Sequence, residues 1–175
     1  MKRTLLVLVI ATLGALLPAN AQVKKATIEG ITNFAEVETT VACAGNIKPE
    51  SIAGIKKMGF ASIVNLRLAN EPGVDLDAET AAAKAAGIKF VHLPFNGGSP
   101  DPAVADAFLK LMAESGTQPA FIHCASGNRA AAMWMIKRVL MDKWDAERAG
   151  EEAAQLGLTN SALKTFALDY IQKHK

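Results

Sequence analysis

The chain alternates between short apolar runs and longer segments with helical periodicity. Three apolar runs, each bounded by glycine, proline or polar residues, predict buried strands at residues 61–66, 88–93 and 119–123. A fourth segment, residues 34–41, alternates and is rich in β-formers, which favours an edge hairpin or strand. Alanine-rich stretches and apolar residues three or four positions apart predict helices at residues 49–58, 77–86, 103–114, from 127 or 128 to 140, 145–156 and 160–173.

This alternation of strands and helices predicts an α/β domain with a mainly parallel central sheet flanked by helices. In such sheets the functional loops lie beyond the carboxyl ends of the strands. Two loops rich in helix-breaking or small residues follow predicted strands, one at residues 96–102 and one that begins at Cys124. We therefore expect both loops at the same edge of the sheet.

The first 21 residues have the pattern of a cleavable export signal. Lys2 and Arg3 precede an uncharged apolar run at residues 4–17, and Pro18 is followed by the small-x-small sequence Ala19-Asn20-Ala21. Cleavage after Ala21 would leave residues 22–175 as one domain in the periplasm or outside the cell. The alternative, an uncleaved anchor, is disfavoured because a membrane span needs about 20 apolar residues.

The charge of the remaining chain is balanced. The whole sequence has 19 basic and 17 acidic residues, and two of the basic residues belong to the predicted signal. We therefore expect no nucleic-acid partner and, after signal cleavage, no membrane association. The three histidines are widely separated, so no metal site and no cofactor are expected.

The last predicted strand leads into a loop that carries a cysteine and an arginine in front of a helix: Phe121-Ile122-His123-Cys124-Ala125-Ser126-Gly127-Asn128-Arg129. Backbone N–H groups of a tight loop at a helix N-terminus bind anions, and the same positive end favours a thiolate over a thiol. Cys124 is therefore the predicted nucleophile, and Arg129 the predicted binder of a tetrahedral oxyanion. The alternative is a buried cysteine with an arginine that pairs on the helix surface.

The residues around this pair have predicted supporting roles. The backbone of Ala125, Ser126, Gly127 and Asn128 forms the predicted phosphate-binding loop, and Gly127 allows the chain to turn without a Cβ clash. His123 is expected to point into the core and to order the backbone around Cys124, because successive strand side chains face opposite ways.

The chain resembles a bacterial phosphatase-like family that is related to dual-specificity and tyrosine phosphatases and to the phosphatase-like segment of beta-lactamase hydrolase-like proteins. The resemblance rests on Ala44-Gly45-Asn46 with Pro49-Glu50, on Ile63-Val64-Asn65-Leu66-Arg67, on Val91-His92-Leu93-Pro94 and on the Cys124 loop. It implies a cysteine-phosphatase-like fold and hydrolysis of a small anionic or phosphorylated substrate. It also implies a phosphocysteine intermediate on Cys124, phosphate held by Arg129 and the loop amides, and no metal.

The loop departs from the family pattern at two positions. Four residues separate Cys124 from Arg129, where typical tyrosine phosphatases have five, and Ala130 replaces the usual serine or threonine. Both departures predict slow turnover or a substrate other than phosphotyrosine. Rhodanese-type sulfurtransferases also use the four-residue spacing, so sulfur transfer through a persulfide is the second hypothesis.

The third hypothesis is a protein without catalytic activity that binds anions or acts in redox chemistry. Cys43 and Cys124 are the two cysteines, and the sequence leaves open whether they pair after export. If they do not pair, a reactive thiolate at Cys124 is prone to oxidation and needs a reducing partner.

Asp101 is the predicted general acid, since its loop follows the second predicted strand. The alternative is an ordinary helix N-cap, because Pro102 follows it. Asp75 and Asp77 are weaker candidates, and Asp77 is expected to cap its own helix. Arg67 and Glu71 follow the first predicted strand, and one interpretation is that they line the rim of the same site. The preferred interpretation is a surface ion pair.

Overall fold

A computed structural model of the protein describes residues 22–37 and 40–175, so the predicted signal peptide lies outside the described residues. Six strands form one sheet: β1 (Val23–Ile28), β2 (Ile31–Val37), β3 (Val41–Ala44), β4 (Ser62–Asn65), β5 (Lys89–His92) and β6 (Ala120–His123). The helices are α1 (Ile52–Lys57), preceded by a 3₁₀ turn (Pro49–Ser51), α2 (Leu76–Ala86), α3 (Pro102–Ala113), α4 (Asn128–Leu140), α5 (Ala146–Gln155) and α6 (Ser161–His174). All six predicted helices are present, with ends that agree to about a residue.

The strand order is β1-β2-β3-β6-β4-β5. Strands β3, β6, β4 and β5 are parallel, whereas β1, β2 and β3 pair in antiparallel fashion. The predicted α/β class with a mainly parallel sheet is therefore confirmed. The hairpin predicted at residues 34–41 is confirmed, because the end of β2 pairs in antiparallel fashion with the start of β3. Its predicted position at the edge is wrong, since both strands lie inside the sheet. The edge strands of the sheet are β1 and β5, and the largely exposed residues of β1 lack an apolar pattern.

Helices cover both faces of the sheet. Helices α1 and α2 pack on one face, against a cluster that includes Ala42, Ile63 and Phe121. Helices α3 to α6 pack on the other face, where α4 lies at the centre and contacts α3, α5 and α6. Trp134 of α4 is fully buried there. Within the described part of the chain, no helix has the length and apolar character of a membrane span.

The loops that leave β3, β4, β5 and β6 meet at one edge of the sheet. The Leu66 amide, just after β4, donates to the His123 carbonyl at the end of β6, and the Phe95 amide donates to the Leu66 carbonyl. The amide of Cys124 donates to the Ala44 carbonyl at 3.1 Å. These bonds hold the cysteine loop between the loops that follow β3 and β4, as the parallel topology requires.

Candidate active site

Cys124 lies at the end of β6, immediately before α4. Its side chain is buried, and its Sγ accepts a hydrogen bond from the Gly127 amide at 3.1 Å. Gly127 has φ +97°, a conformation that residues with a Cβ rarely adopt, and this turn starts the helix at Asn128. The sulfur is therefore held at the N-terminus of a 13-residue helix, where unpaired amides and the helix dipole favour negative charge.

The outer side of the cysteine loop is fixed by the loop after β3. The Asn46 amide donates to the Ala125 carbonyl at 3.2 Å, and Gly45 forms an isolated antiparallel bridge with Ser126. Asn33 of β2 donates through Nδ2 to the Ser126 carbonyl at 3.3 Å. Because these carbonyls bond outward, the loop is held in a shape whose amides can turn toward an anion at Cys124.

Gly45→Ala is expected to disturb this support. A Cβ at position 45 would lie 2.8 Å from the Ala125 carbonyl oxygen, so the cysteine loop would have to move. A displacement of about 1 Å in a catalytic group can cost roughly 10²-fold in rate, and we expect a loss approaching that in kcat for an aryl phosphate. The matched control is Gly54→Ala in α1, where an added Cβ meets nothing within 4 Å. Equal kcat values for the two variants would contradict the role assigned to Gly45.

Arg129 is held by both neighbouring loops. Its Nη1 donates to the Leu66 carbonyl at 3.1 Å, to the Phe95 carbonyl at 3.0 Å and to Oε1 of Glu71 at 2.6 Å, and its Nη2 donates to Oε2 of Glu71 at 2.8 Å. These bonds use the Nη1 protons and one Nη2 proton. The Nε–H and the second Nη2–H are left on one edge of the guanidinium, a pair of donors of the kind that can bind two oxygens of an oxyanion.

Glu71 lies at the site and binds Arg129, a contact that the sequence interpretation did not predict. It accepts from Arg129, from Nε of Arg67 at 3.1 Å and from the Leu68 amide at 2.8 Å. The interpretation of Arg67 and Glu71 as a surface pair is wrong, because Arg67 is 4% exposed and Glu71 joins it to Arg129. The hydrogen bonds from Arg129 are the main reason that the pKa of Glu71 falls to about 2, followed by those from Leu68 and Arg67.

The low pKa of Glu71 predicts acid-sensitive stability. A carboxylate with a lowered pKa stabilises the fold above the pKa of the unfolded chain, and that contribution is lost as the pH falls toward about 2. Denaturant unfolding of wild type and Glu71→Gln should therefore give free energies that differ most near neutral pH and converge in acid. The control is Glu114→Gln, which removes an exposed carboxylate paired with Lys89 and should change stability less. A constant difference from neutral pH to about pH 2 would contradict this prediction.

His123 lies on the opposite side of the strand from Cys124, in contact with α2. Its Nε2 is 3.5 Å from Oε2 of Glu79, an electrostatic contact too long for a good hydrogen bond, and the same oxygen accepts from Nδ2 of Asn65 at 2.7 Å. Burial lowers the pKa of His123, which keeps the ring neutral near pH 7. Glu79 and Asn65 thus surround the histidine that precedes the nucleophile, and His123 has no path to act as its direct base.

The side chain of Asn128 forms hydrogen bonds to other parts of the protein. Its Oδ1 accepts from the amides of Thr159 at 2.8 Å and Asn160 at 2.7 Å. Its Nδ2 donates to Oγ of Ser126 at 3.3 Å. Asn128 therefore joins the cysteine loop to the segment between α5 and α6, a connection that the sequence alone did not indicate.

Asp101 caps α3, as the alternative interpretation expected. Its Oδ1 accepts from the Ala103 amide at 2.9 Å, and Pro102 is the first helical residue. The loop that precedes it approaches the site, since a Cβ on Gly97 would lie 3.4 Å from the Arg129 side chain. Asp101 is exposed at the far end of that loop.

The helix cap expected at Asp77 is a further correction. Asp75 caps α2 instead, by accepting from the Ala78 amide at 2.9 Å, and Asp77 lies inside the first turn. The helix begins one residue earlier than the alanine-rich pattern indicates, at Leu76.

Cys43 and Cys124 are both buried and both free, so no disulfide joins them in this structure. Burial, and next the proximity of Cys124, raise the pKa of Cys43 well above its usual range, as expected of an unreactive core thiol. Among residues 22–37 and 40–175, no group of three histidine, cysteine or acidic side chains has the arrangement of a metal site.

Comparison with known proteins places this site in a family. The family described as "Beta-lactamase hydrolase-like protein, phosphatase-like domain" matches residues 33–141. A curated beta-lactamase hydrolase-like protein of Xylella fastidiosa (strain Temecula1) is 29% identical over 126 residues, which cover 70% of this chain and 28% of the relative. Its counterpart in Agrobacterium fabrum (strain C58) is 31% identical over 106 residues, or 59% of this chain and 24% of the relative. The chain therefore spans about a quarter of the length of these relatives.

Solved structures agree with the fold. TpbA of P. aeruginosa superposes with a TM-score of 0.66 at 19% identity, covering 90% of this chain and 92% of TpbA. The catalytic core of the PP-IP phosphatase Siw14 of S. cerevisiae gives 0.66 at 18% identity, covering 82% of this chain and 88% of that core. At these identities the likeness shows a cysteine-phosphatase-like fold. By its sequence match and its fold, the chain belongs to the family of the phosphatase-like domain of beta-lactamase hydrolase-like proteins.

Proposed function

We propose that the protein is a cysteine-dependent phosphatase that hydrolyses phosphomonoesters. One observation carries the proposal: Cys124 Sγ and Arg129 both lie at the N-terminus of α4, and the guanidinium is oriented by two carbonyls and by Glu71. A guanidinium fork and helix amides are suited to the equatorial oxygens of a phosphoryl group in its transition state.

The proposed reaction has two steps. The Cys124 thiolate donates an electron pair to phosphorus, the S–P bond forms, and the P–O ester bond breaks as the leaving oxygen takes a proton. Water then attacks phosphorus, the S–P bond breaks, and inorganic phosphate leaves with the thiolate regenerated. The backbone from Ala125 to Asn128 and the Arg129 fork bind the phosphoryl oxygens in both steps.

Asp101 is the proposed acid for the leaving oxygen. Its loop contacts Arg129 at Gly97 and through the Phe95 carbonyl, and Asp101 is the exposed acidic residue at the end of that loop. Asp101→Asn keeps the N-cap, because asparagine caps helices as well as aspartate does. This variant should therefore lose about 10²-fold in kcat for an alkyl phosphate and much less for an aryl phosphate with a good leaving group. Equal losses for the two substrates would exclude Asp101 as the acid.

A substrate with a single phosphate on a neutral or aromatic group is favoured. Arg129 is the one basic residue in the loop string from Cys124 to Arg129, and Glu71 offsets one of the two positive charges of Arg67 and Arg129. This balance does not suit a densely charged polyphosphate. TpbA has been solved in complex with phosphotyrosine. Phosphotyrosine-like substrates are therefore the first to test, with slow turnover expected because Ala130 replaces a hydroxyl.

Sulfur transfer is the second candidate, and the four-residue spacing between Cys124 and Arg129 favours it. In that reaction the Cys124 thiolate attacks the outer sulfur of thiosulfate, sulfite leaves, and the persulfide passes its sulfur to a thiophilic acceptor such as cyanide. The discriminating experiment assays purified protein for phosphate release from an aryl phosphate and for thiocyanate formation from thiosulfate and cyanide. Our proposal expects phosphate release alone, and thiocyanate formation without phosphate release would replace it with the second candidate.

Export is also a proposal, supported by the charge and apolar pattern of residues 1–21. Protein recovered from the periplasm or medium should begin at Gln22 by N-terminal sequencing. A product that retains Met1 in the membrane fraction would contradict cleavage after Ala21. In an oxidising compartment, Cys124 would further need a reducing partner to remain a thiolate.

A further inference from the structure

A groove lies beside the cysteine loop and has no part in the reaction described above. It occupies about 820 Å³ between the β1–β2 hairpin and the segment that joins α5 to α6. Ser126 and Asn128 of the cysteine loop form part of its wall, whereas Cys124 and Arg129 are not among its lining residues. We call this space the hairpin groove. Its volume is at the upper end for ligand sites and larger than an aryl phosphate needs.

Both walls of the hairpin groove are bonded to the cysteine loop. On the hairpin side, Asn33 donates to the Ser126 carbonyl and has φ +50°, a left-handed conformation that asparagine tolerates better than most residues. On the helix side, Asn128 accepts from the amides of Thr159 and Asn160. The groove therefore begins directly at the loop that binds the phosphate in our proposal.

The chemistry of the groove suits a peptide. Neutral hydrogen-bonding side chains line it, namely those of Thr27, Asn33, Gln155 and Thr159. Such groups can pair with the amides of an extended chain. Thr27, Gln155 and Thr159 are exposed there, whereas the apolar residues Phe34 and Leu156 beneath the groove are buried in the core.

One cation faces this groove. Among the described residues that line it, Lys25 is the one charged side chain. Lys25 lies opposite Ala35 in the β1–β2 register, on the face of the sheet that carries α4 to α6. Lys24 points to the other face, where its Nζ is 3.8 Å from Glu36. The groove therefore presents a positive charge with no lining carboxylate to offset it.

We propose that the hairpin groove binds the peptide segment beside a phosphorylated residue, and that Lys25 selects segments with an acidic residue next to the phosphate-bearing one. This inference rests on the proposed phosphatase function, because the phosphate of the substrate, bound at Cys124 and Arg129, fixes the position of the peptide in the groove. The groove then supplies the contacts that a small aryl phosphate lacks.

The test measures binding of phosphotyrosine peptides to the mature protein, residues 22–175, carrying Cys124→Ser. This variant cannot hydrolyse the peptides. Three peptides carry aspartate, alanine or lysine on both sides of the phosphotyrosine. We expect the aspartate peptide to bind roughly threefold to fivefold more tightly than the alanine peptide at low salt, with the preference lost at high salt. Adding Lys25→Gln should remove the preference and adding Lys25→Glu should reverse it, whereas the matched exchange Lys24→Gln should leave it in place.

The outcomes separate the groove assignment from the phosphatase proposal. Equal binding of the three peptides, or the same change with Lys24→Gln as with Lys25→Gln, would overturn the groove assignment. Wild-type hydrolysis of an aryl phosphate is measured in parallel. If it occurs while no peptide binds, the groove proposal fails and the phosphatase proposal stands. If the aryl phosphate is not hydrolysed and no peptide binds, both fail together.

Discussion

Replacing Cys124 with serine is expected to lower the rate of aryl phosphate hydrolysis by about 10⁴-fold or more, the range seen when an enzyme loses its nucleophile. A serine hydroxyl stays protonated at the helix N-terminus. A covalent bond between the serine oxygen and phosphorus therefore does not form at a useful rate. Phosphate binding should persist, since the amides and Arg129 are unchanged. The measurement is kcat by phosphate release, together with the affinity for inorganic phosphate.

The matched control is Cys43→Ala. Cys43 is buried on β3 in the same hydrophobic cluster as Cys124, so its truncation tests whether a change in the core alone affects the rate. We expect a small loss of stability, of about 1 kcal/mol, and little change in kcat. Equal activity of wild type and Cys124→Ser would remove thiolate catalysis from consideration.

Arg129→Lys is expected to lower kcat by roughly 10²- to 10³-fold, the cost of losing one preorganised group that stabilises developing charge. Lysine keeps the charge, but a single ammonium cannot bond two carbonyls and Glu71 while also offering two parallel donors to phosphate. The measurement is kcat and KM for an aryl phosphate over the pH range in which the protein is folded.

The matched control for this exchange is Arg138→Lys on the same helix. Arg138 bonds Glu152 through Nε at 2.7 Å and packs over Trp134 and Trp144, far along α4 from the loop. This control should lower the unfolding free energy without a comparable change in kcat. Similar kcat values for Arg129→Lys and wild type would show that the guanidinium fork has no part in the chemistry.

The fold was largely predictable because its signals are local. Apolar runs at residues 61–66 and 119–123 form β4 and β6, which are buried on both faces in the parallel part of the sheet, and such strands have an unmistakable composition. The run at residues 88–93 also forms a strand, but the prediction that it is buried is wrong, because β5 is half-buried at the edge of the sheet. Helix ends followed from glycine, proline and capping residues. Strand β1 was missed because an edge strand with exposed side chains, Val23–Ile28, lacks that composition.

The nucleophile and the arginine were predictable for the same reason, since Cys124 and Arg129 lie five positions apart in one string. The residues that hold Cys124 and Arg129 in place were not predictable. Glu71 is 58 residues from Arg129 in sequence, and Asn128 is 31 residues from Thr159. A single sequence carries no signal for such pairs, because any acidic residue in a loop after a strand is compatible with a surface ion pair. The pairing of Glu71 with Arg129 could have been predicted only by expecting a counter-ion for a largely buried guanidinium.

The Asp75 cap shows a related limit. Both Asp75 and Asp77 precede the alanine-rich stretch, and either could accept the amide of the first turn. The choice depends on where the chain leaves the Arg67–Glu71 loop, which is set by the bonds of Glu71 to Leu68 and Arg129. Local propensity fixes that a helix starts here, whereas tertiary contacts fix the residue at which it starts.

The most direct test of the phosphatase account is to trap the covalent intermediate. Mature protein is mixed with an aryl phosphate, quenched in acid during the first turnovers, digested, and analysed by mass spectrometry for the peptide that contains Cys124. We predict one added phosphoryl group on Cys124, absent in Cys124→Ser. A peptide that stays unmodified while phosphate is released, or one that gains only a sulfur atom after incubation with thiosulfate and never a phosphoryl group, would contradict it.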